Sequence, residues 1–310
     1  MGWNMENSQI LAGKVVIVTG AGNGVGAEIA KLAARCGASV LVNDLGGGAA
    51  GGGADTTPAQ RVVDEIKAAG GIAAPSFHSI ATWETAEQII QDAINAFGKI
   101  DAVVNNAGIL RDVIFHKMTK EDWDLVRAVN LDGYFYVSRA AAPYFKEQGS
   151  GAFVHMTSTS GLIGNMGQAN YSAAKLGVAG LSKSIAIDMQ RFNVRSNCIA
   201  PFAFTRMVGT IPANDEANRK RLEIAKRMTP EKIAPLVCGL ISDGAADVSG
   251  QIFSSRMNET ILFSQPRPLR TAQTSEGWTP ETIVSHALPA MKPHFYPLDI
   301  SSHVFTWDPF

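Results

Sequence analysis

The sequence predicts an α/β protein whose core is an open, doubly wound parallel sheet with helices on both faces. Short apolar stretches rich in β-branched residues alternate with longer Ala-rich or amphipathic stretches as far as Ala200. The segments that connect them are short enough for right-handed crossovers between parallel strands. A glycine-rich turn follows the first apolar stretch and leads into a helix, at the position where such sheets bind ligands. These three observations together favour this fold class.

Seven stretches have the composition of buried strands, namely 14–19, 38–43, 72–77, 100–105, 151–158, 194–200 and 248–253. Helical stretches separate them, one ending near Gly37 and the others at 57–70, 83–97, 121–148 and 168–192. We expect one domain over residues 1–253 and a C-terminal extension over Ser254–Phe310. The extension carries aromatic residues that favour packing on the core, and residues 279–287 have the start signals of a short helix.

The composition excludes several classes of protein. The formal charge is 27 − 28 = −1, so no basic excess favours a nucleic-acid partner. Three widely spaced cysteines form neither a disulfide framework nor a metal-spaced cluster, and we expect no metal. They favour a reducing compartment, and the first residues lack the pattern of a secretory signal. No stretch is apolar enough to span a bilayer and Asp308-Pro309-Phe310 is not a peroxisomal signal, so we expect a cytoplasmic protein.

Three glycines, Gly20, Gly24 and Gly26, lie between the first strand and the helix that follows it. Glycines there let the backbone approach a ligand closely, and the helix N-terminus offers free N–H groups to a pyrophosphate. Asp44 ends the next strand, where a carboxylate accepts both hydroxyls of a ribose. Its charge would repel the 2′-phosphate of NADP, so the sequence predicts NAD. Alternatively, Asp44 is a turn residue in front of the glycines that follow.

Two further segments are expected beside this nucleotide site. The glycine run 46–53 is either a flexible linker or a loop that wraps the adenosine. The sequence Asn-Asn-Ala-Gly at Asn105–Gly108 follows another predicted strand, and ligands of such sheets bind outside the carboxyl ends of strands. Its asparagines either contact a cofactor or only fix a turn.

Ser158, Tyr171 and Lys175 have the chemistry to move a proton at the same edge of the sheet. Ser158 ends a predicted strand, and Tyr171 and Lys175 lie four residues apart on one face of the next predicted helix. A lysine ammonium beside a phenol lowers the phenol pKa from its usual value near ~10, and a phenol tuned in this way exchanges a proton with an alcohol or ketone. A solvated lysine beside a half-buried tyrosine would be the ordinary alternative, but the convergence of the three features on one edge argues against chance.

These motifs, together with Asn130 and Pro201, resemble the short-chain dehydrogenase/reductase family over residues 12–253. The resemblance implies a Rossmann-type NAD(P)-dependent oxidoreductase, which here would interconvert a secondary alcohol and a ketone with NAD, the cofactor that Asp44 favours. It implies that Tyr171 is the general acid and base, that Lys175 binds the nicotinamide ribose, that Ser158 binds the substrate oxygen, and that Asn130 holds a water in a proton relay. The cofactor contacts that it implies are Gly20, Asn23, Gly24, Val25, Gly26, Asp44, Leu45, Asn106, Ala107, Gly108, Tyr171, Lys175 and Pro201. A homodimer or homotetramer formed through helices 121–148 and 168–192 is also implied.

Within the family, 42–47, 105–112 and 164–177 are similar to the dehydrogenase unit of peroxisomal multifunctional enzyme type 2 and to related stand-alone bacterial proteins. That likeness implies a (3R)-hydroxyacyl-CoA substrate, including steroid-derived ones. The chain departs from the family pattern at His78, near which an acid usually contacts the adenine, and at Phe202, where a glycine is common.

The substrate lid is expected at about 202–228, where Phe202, Phe204 and Met207 would receive an acyl chain or a sterol. The basic residues at 219–221 and 226–227 either meet coenzyme A phosphates or form a solvated helix face with Glu223 as a partner. A hydroxysteroid dehydrogenase acting on a free steroid is therefore the first alternative. A catalytically silent NAD-binding sensor or scaffold, and a metal-free lyase or epimerase on the same fold, are alternatives of other classes.

Overall fold

The computed structural model of the protein describes residues 8–48, 50, 52–53, 55–203 and 223–309. Its centre is an eight-stranded sheet with the strand order β3-β2-β1-β4-β5-β6-β7-β8. All neighbouring strands are parallel except β7 and β8. The predicted doubly wound parallel sheet is confirmed. The strands are β1 (Val15–Thr19), β2 (Ser39–Asn43), β3 (Ile72–Ser76), β4 (Ala102–Asn105), β5 (Gly151–Met156), β6 (Val194–Phe202), β7 (Ile252–Arg256) and β8 (Glu259–Leu262).

Helices cover both faces of the sheet because successive residues of each buried strand point to opposite sides. In β1, Val16 and Val18 enter one apolar core, and Val15 and Ile17 enter the other. The first core is closed by α1 (Gly24–Arg35), α2 (Thr57–Ala68) and the helix Ala234–Ile241. The second is closed by α3 (Trp83–Phe97), α5 (Gly133–Gln148) and α7 (Ala169–Met189).

The helix predicted at 121–148 is confirmed, since residues 120–148 are helical throughout, and it contains a π-helical turn that was not predicted. It begins as α4 (Lys120–Arg127), where Thr119 and Asp122 form a capping box. A π-helical turn at Ala128–Asp132 then leads into α5. The turn contains Asn130, which is fully buried. Wide turns of this kind insert one residue per turn and are frequent at functional sites.

The last predicted strand is displaced along the chain, and an eighth strand follows that the sequence analysis did not predict. β7 runs from Ile252 to Arg256 instead of from 248 to 253, and β8 returns antiparallel to it. The expected domain boundary at residue 253 stays a prediction, and β7 crosses it. Further along, residues 280–291 are helical in three short segments, one of them a π-helical turn.

In the part of the chain that the structure describes, no helix has both the length and the apolar character needed to cross a membrane. The same residues contain no group of three or more His, Cys, Asp or Glu side chains that could hold a metal ion.

Candidate active site at the carboxyl edge of the sheet

The glycine turn between β1 and α1 depends on residues without a side chain. Gly20 and Gly24 have φ angles of 64° and 55°, in the left-handed region that favours glycine. A Cβ atom at Gly26 would lie 2.3 Å from the carbonyl oxygen of Gly20. Because only a hydrogen fits there, α1 can begin directly against the end of β1. Asn106 stabilises this arrangement, since its Nδ2 donates to the carbonyl oxygens of Thr19 at 3.0 Å and Gly20 at 3.1 Å.

Asp44 lies directly after β2 and binds the same turn. Its Oδ2 accepts a hydrogen bond from the backbone N–H of Gly22 at 2.7 Å, and its Oδ1 accepts from that of Gly46 at 2.6 Å. Asp44 therefore has the structural role in the turn that was predicted as an alternative. Each carboxylate oxygen can accept a further hydrogen bond, so the predicted role of Asp44 as a ribose acceptor stays open. The neighbouring Leu45 is 40% exposed at this edge.

Arg61 of α2 is a contact of the glycine turn that sequence reasoning missed. Its guanidinium donates to the carbonyl oxygen of Gly22 at 3.0 Å and to Oδ1 of Asn23 at 2.8 Å. Asn23 is therefore held by Arg61, and its side chain does not cap α1. The Nε atom of Arg61 lies 3.7 Å from a carboxylate oxygen of Glu65, which offsets part of its charge. Gly22 and Arg61 are 39 residues apart in the chain, so the sequence alone does not indicate that they are in contact.

Backbone hydrogen bonds connect the described residues in and around the glycine run. The N–H of Asp55 donates to the carbonyl of Leu45 at 2.9 Å, and that of Gly48 donates to the carbonyl of Gly52 at 2.7 Å. At Ala50 the loop meets Arg111, whose Nε donates to the Ala50 carbonyl at 3.2 Å. These bonds favour a loop held across the site over a free linker. That this loop wraps an adenosine stays a prediction.

The Asn-Asn-Ala-Gly segment ties the end of β4 to that of β1. The hydroxyl of Thr19 accepts hydrogen bonds from the backbone N–H groups of Asn106 at 3.0 Å and Ala107 at 3.2 Å. Asn105 is fully buried, and its Nδ2 donates to Oγ of Ser138 at 2.9 Å. A Cβ atom at Gly108 would lie 2.6 Å from Oδ1 of Asn130. The segment thus has a structural role, and its cofactor contacts stay predictions.

Ser158 lies just beyond β5 rather than within it, as the N-cap of the short helix α6 (Thr159–Leu162). Its Oγ accepts a hydrogen bond from the N–H of Ser160 at 3.1 Å and donates to Oγ of Ser160 at 3.2 Å. Ser160 in turn donates to Oε1 of Gln168 at 2.8 Å, and Nε2 of Gln168 donates to Asp112 at 2.8 Å. This side-chain series fixes the orientation of Ser158. Sequence reasoning missed its members because they lie on three separate segments.

The structure brings Tyr171 close to Ser158 and Lys175. Burial raises the pKa of Tyr171 to about 12, a hydrogen bond with Ser158 opposes this shift, and the negative charge of Asp112 adds to it. The expectation of a lowered pKa was wrong, because burial dominates the shift. Nζ of Lys175 lies 5.7 Å from the centre of the Tyr171 ring and binds other groups.

Lys175 is 2% exposed, and its ammonium is bound within the protein. Nζ donates to the hydroxyl of Tyr134 and to the carbonyl of Met156, both at 2.9 Å. Burial lowers the pKa of Lys175 to about 7, because removing the ammonium from water disfavours its charged form. The lysine is thus close to its titration point at neutral pH.

Asn130 binds the segment after β4 with its side chain. Its Nδ2 donates to the carbonyls of Ile109 at 2.9 Å and Val126 at 3.0 Å, and its Oδ1 accepts from the N–H of Ile109 at 3.2 Å. This arrangement fixes the loop that carries Gly108 relative to the π-helical turn. The role of Asn130 in a water relay stays a prediction.

Most of the expected substrate lid cannot be compared with the structure. Phe204, Met207 and residues 219–221 lie outside the described residues. Phe202 ends β6, directly after Pro201, and its ring packs on Phe305 of the C-terminal segment with 4.8 Å between the ring centres. Lys226 lies 2.7 Å from Glu223, as expected for the alternative of a solvated helix face.

The C-terminal segment packs on the same edge of the sheet at two points. The N–H of Ser301 donates to the carbonyl of Gly164 at 3.1 Å, in the loop between Ser158 and Tyr171. At the second point, Arg256 of β7 donates to the carbonyl of Trp307. Nε of Arg256 also lies 3.0 Å from Glu259, and Nε1 of Trp307 donates to the same carboxylate at 2.7 Å. These contacts connect the tail with the loop beside the predicted catalytic residues.

The residues at this edge fit a dinucleotide. A Cβ atom would fill the space at Gly20 and Gly26, and the first N–H groups of α1 open toward that turn. A parallel sheet with such a turn, and with Ser158, Tyr171 and Lys175 at the same edge, defines a nucleotide-binding α/β oxidoreductase. The chain belongs to the short chain dehydrogenase family, whose model matches residues 14–216. The predicted family is therefore confirmed.

Relatives in two groups support this assignment. Rv0148 of Mycobacterium tuberculosis, named as a short-chain type dehydrogenase/reductase, is 47% identical over 76% of this chain and 79% of its own. The peroxisomal multifunctional enzyme type 2 of Mus musculus is 43% identical over 86% of this chain, and the match covers 36% of that enzyme. The chain thus spans about a third of this multifunctional relative. The hydroxyacyl-CoA dehydrogenase ChsB1 of Mycobacterium tuberculosis is 36% identical, with 90% of this chain and 89% of its own covered.

Solved structures show the same fold. A short chain dehydrogenase from Mycobacterium avium is 36% identical, has a TM-score of 0.81, and covers 94% of this chain and 99% of its own. A 7α-hydroxysteroid dehydrogenase complexed with NADH and 7-oxo glycochenodeoxycholic acid is 31% identical and has a TM-score of 0.73, with 83% and 98% covered.

Proposed function

We propose that this oxidoreductase uses NAD to interconvert a secondary alcohol and a ketone on a (3R)-hydroxyacyl-CoA thioester. The observation that carries the proposal is the grouping of Ser158, Tyr171 and Lys175 beside the glycine turn, at one edge of one sheet. The similarity to a hydroxyacyl-CoA dehydrogenase and to the multifunctional enzymes supports this class of substrate.

The proposed roles follow from the chemistry of each side chain. An oxidised nicotinamide, when bound, supplies a hydride acceptor that carries a positive charge. Ser158 orients the substrate hydroxyl, with its own Oγ already held by Ser160. Tyr171 accepts the proton of that hydroxyl as the C–H bond breaks, and returns a proton in the reverse reaction. Burial raises the pKa of Tyr171 and so favours the protonated phenol, and the positive charge of a bound nicotinamide would favour the phenolate that accepts the proton.

The preference for NAD over NADP rests on Asp44. Its carboxylate is part of the glycine turn through Gly22, so a 2′-phosphate near it would be repelled. Arg61 lies at the same turn, but its guanidinium already binds Asn23 and is close to Glu65. We therefore infer a net preference for NAD.

The principal alternative for the substrate is a free hydroxysteroid. The likeness to a 7α-hydroxysteroid dehydrogenase favours it. Phe202 and Phe305 would suit either an acyl chain or a sterol, since both rings are apolar and are packed together. A coenzyme A moiety would need basic partners, whereas Lys226 is paired with Glu223.

We also propose a homodimer or homotetramer that buries apolar residues of α5 and α7. Phe135, Leu176 and Ile187 on these helices are 42%, 54% and 65% exposed. Exposed apolar residues on neighbouring helices favour an interface between proteins. The cytoplasmic location stays a prediction.

The function is tested by following NADH absorbance with the purified protein, NAD and a panel of alcohols. The panel pairs each (3R)-hydroxyacyl-CoA with its free acid, and adds the (3S) thioesters and hydroxysteroids. We expect fastest turnover with the (3R) thioesters and with NAD rather than NADP at equal concentration. Faster turnover of the free steroids would contradict the thioester assignment, and faster turnover with NADP would contradict the role of Asp44. Binding of NADH without any turnover would favour a silent sensor.

A further inference from the structure

The ammonium of Lys175 has only neutral partners within the described part of the chain. Two of its three hydrogens are donated, one to the Tyr134 hydroxyl and one to the Met156 carbonyl, both at 2.9 Å. Nζ also lies 4.4 Å from the centre of the Tyr134 ring, within the range of a cation–π interaction. None of the salt bridges found among the described residues includes Lys175. Tyr134 therefore supplies both a hydroxyl and a ring face to this buried charge.

Tyr134 is held rigidly at this position. Its side chain is fully buried in α5, and its ring stacks on His155 of β5 with 6.2 Å between ring centres and an interplanar angle of 27°. His155 is itself fixed from both sides, since Nδ1 lies 3.1 Å from Nδ2 of Asn105 and Nε2 lies 3.1 Å from Oγ of Ser196. The Tyr134 hydroxyl consequently has little freedom to move away from Nζ of Lys175.

We propose that Tyr134 is a positioning residue that holds the ammonium of Lys175 in place and leaves its third hydrogen for the cofactor. The proposal rests on the proposed hydride-transfer function. Tyr134 does not touch substrate in this role; it acts through Lys175, whose ammonium would, together with the positive charge of a bound nicotinamide, stabilise the phenolate form of Tyr171. A hydrogen bond from a charged donor to a neutral acceptor favours the charged form of the donor.

The other groups around Lys175 do not titrate in the range that matters. Burial, with the charge of Lys175 as a second cause, lowers the pKa of His155 to about 3, so the imidazole is neutral. Burial raises the pKa of Cys198 on β6 to about 12, and that of Tyr134 well above its usual value. Tyr171 on the same helix has a pKa of about 12, which the negative charge of Asp112 helps to raise. The lysine, with its pKa of about 7, is the group whose protonation Tyr134 can influence near neutral pH.

The test compares Tyr134→Phe with the matched control Tyr136→Phe. Tyr136 lies two residues further along α5 on another face, where its ring packs edge-on against Trp83 at 5.9 Å. Both variants lose one hydroxyl and keep the ring, so both keep the packing of α5. Loss of the acceptor lowers the pKa of Lys175, so in Tyr134→Phe we expect the alkaline limb of the pH profile for alcohol oxidation, where the ammonium is lost, to move to lower pH by about one unit. We also expect a several-fold higher KM for NAD and weaker NADH binding measured by fluorescence. Tyr136→Phe is expected to leave all three unchanged.

A second readout needs no cofactor. Tyr134→Phe makes the buried ammonium less favourable, so its thermal unfolding temperature should fall below that of the wild type more at about pH 5.5 than at about pH 9. A purely structural role for the hydroxyl would lower stability equally at both pH values. An unshifted pH profile together with a pH-independent stability loss would overturn the proposal. A wild-type protein that turns over no alcohol would instead overturn the proposed function, and the stability readout would still test the contact between Tyr134 and Lys175.

Discussion

The glycine turn and the face that carries Tyr171 and Lys175 lie at the same edge of one sheet, but different forces build them. The turn is shaped by close backbone contacts, because a Cβ atom at Gly26 would lie 2.3 Å from the Gly20 carbonyl. The protonation of Tyr171 and Lys175 depends on burial instead, which raises the pKa of Tyr171 to about 12 and lowers that of Lys175 to about 7. We therefore expect added side-chain atoms to impair nucleotide binding at the glycine turn. Changes in charge or pH should instead impair proton transfer by Tyr171 and Lys175.

The largest effect is expected for Tyr171→Phe. The substitution removes the group that transfers the proton and keeps the ring, so turnover should fall by roughly 10²- to 10⁴-fold. NADH binding should persist, because Lys175 keeps its bonds to Tyr134 and Met156. Steady-state rates and NADH fluorescence titration measure the two effects separately. Turnover that survives in Tyr171→Phe while the Tyr136→Phe control behaves as the wild type would refute proton transfer by Tyr171.

Gly26→Ala tests the steric side of the comparison. The added methyl would meet Gly20 and also Nδ2 of Asn106, at 2.5 Å, so either the turn or α1 must shift. We expect a loss of about 1–3 kcal/mol in stability, as for other overpacked sites, and clearly weaker NADH binding at every pH. Gly239→Ala is the control, because a Cβ atom there meets no atom within 4 Å. Tight NADH binding by Gly26→Ala would show that the turn does not approach the cofactor.

The smallest of the three effects is a change in stability for Lys175→Met. The pKa of Lys175 is about 7 in the folded protein and about 10.4 in an unfolded chain, so the unfolded state binds more protons between these values. Wild-type stability should therefore rise with pH across this window, and below about pH 7 the full cost of burying the ammonium remains. Lys175→Met should lose activity yet be more stable than the wild type by about 1–2 kcal/mol at pH 7. Unfolding by denaturant at a series of pH values measures the difference in the free energy of unfolding between Lys175→Met and the wild type. A difference that does not become smaller toward about pH 10 would contradict the argument that burial destabilises the ammonium.

The alternation of strands and helices was predictable because each element repeats a local pattern. The strand β1 and the glycine turn after it follow from a β-branched run that ends in glycines, which needs no knowledge of distant residues. The hairpin from β7 to β8 was not predictable. Its two-residue turn places Met257 at a φ of 53° and lacks the Asn-Gly or Asp-Gly pair that usually marks such turns.

Within the site, the types of residue were predictable but their partners were not. Asp44 was expected to meet a ribose, and the structure adds two backbone N–H groups as its partners, which depend on the conformation of the turn. Tyr134 could not be assigned from helical periodicity, because the π-helical turn at Ala128–Asp132 shifts the face on which the residues of α5 lie. Arg61 and Gln168 reach the site only through tertiary packing.

The contact between Ser301 and Gly164 also has a consequence for folding. The two residues are separated by 137 positions in the chain, and the contact fixes a loop between Ser158 and Tyr171. Contacts between such distant residues form slowly, since the entropy of closing the intervening chain is lost before they stabilise anything. We therefore expect the sheet and its glycine turn to assemble from nearer contacts first, and the loop beside Tyr171 to acquire its final shape later. During refolding, NADH binding should consequently return before turnover does.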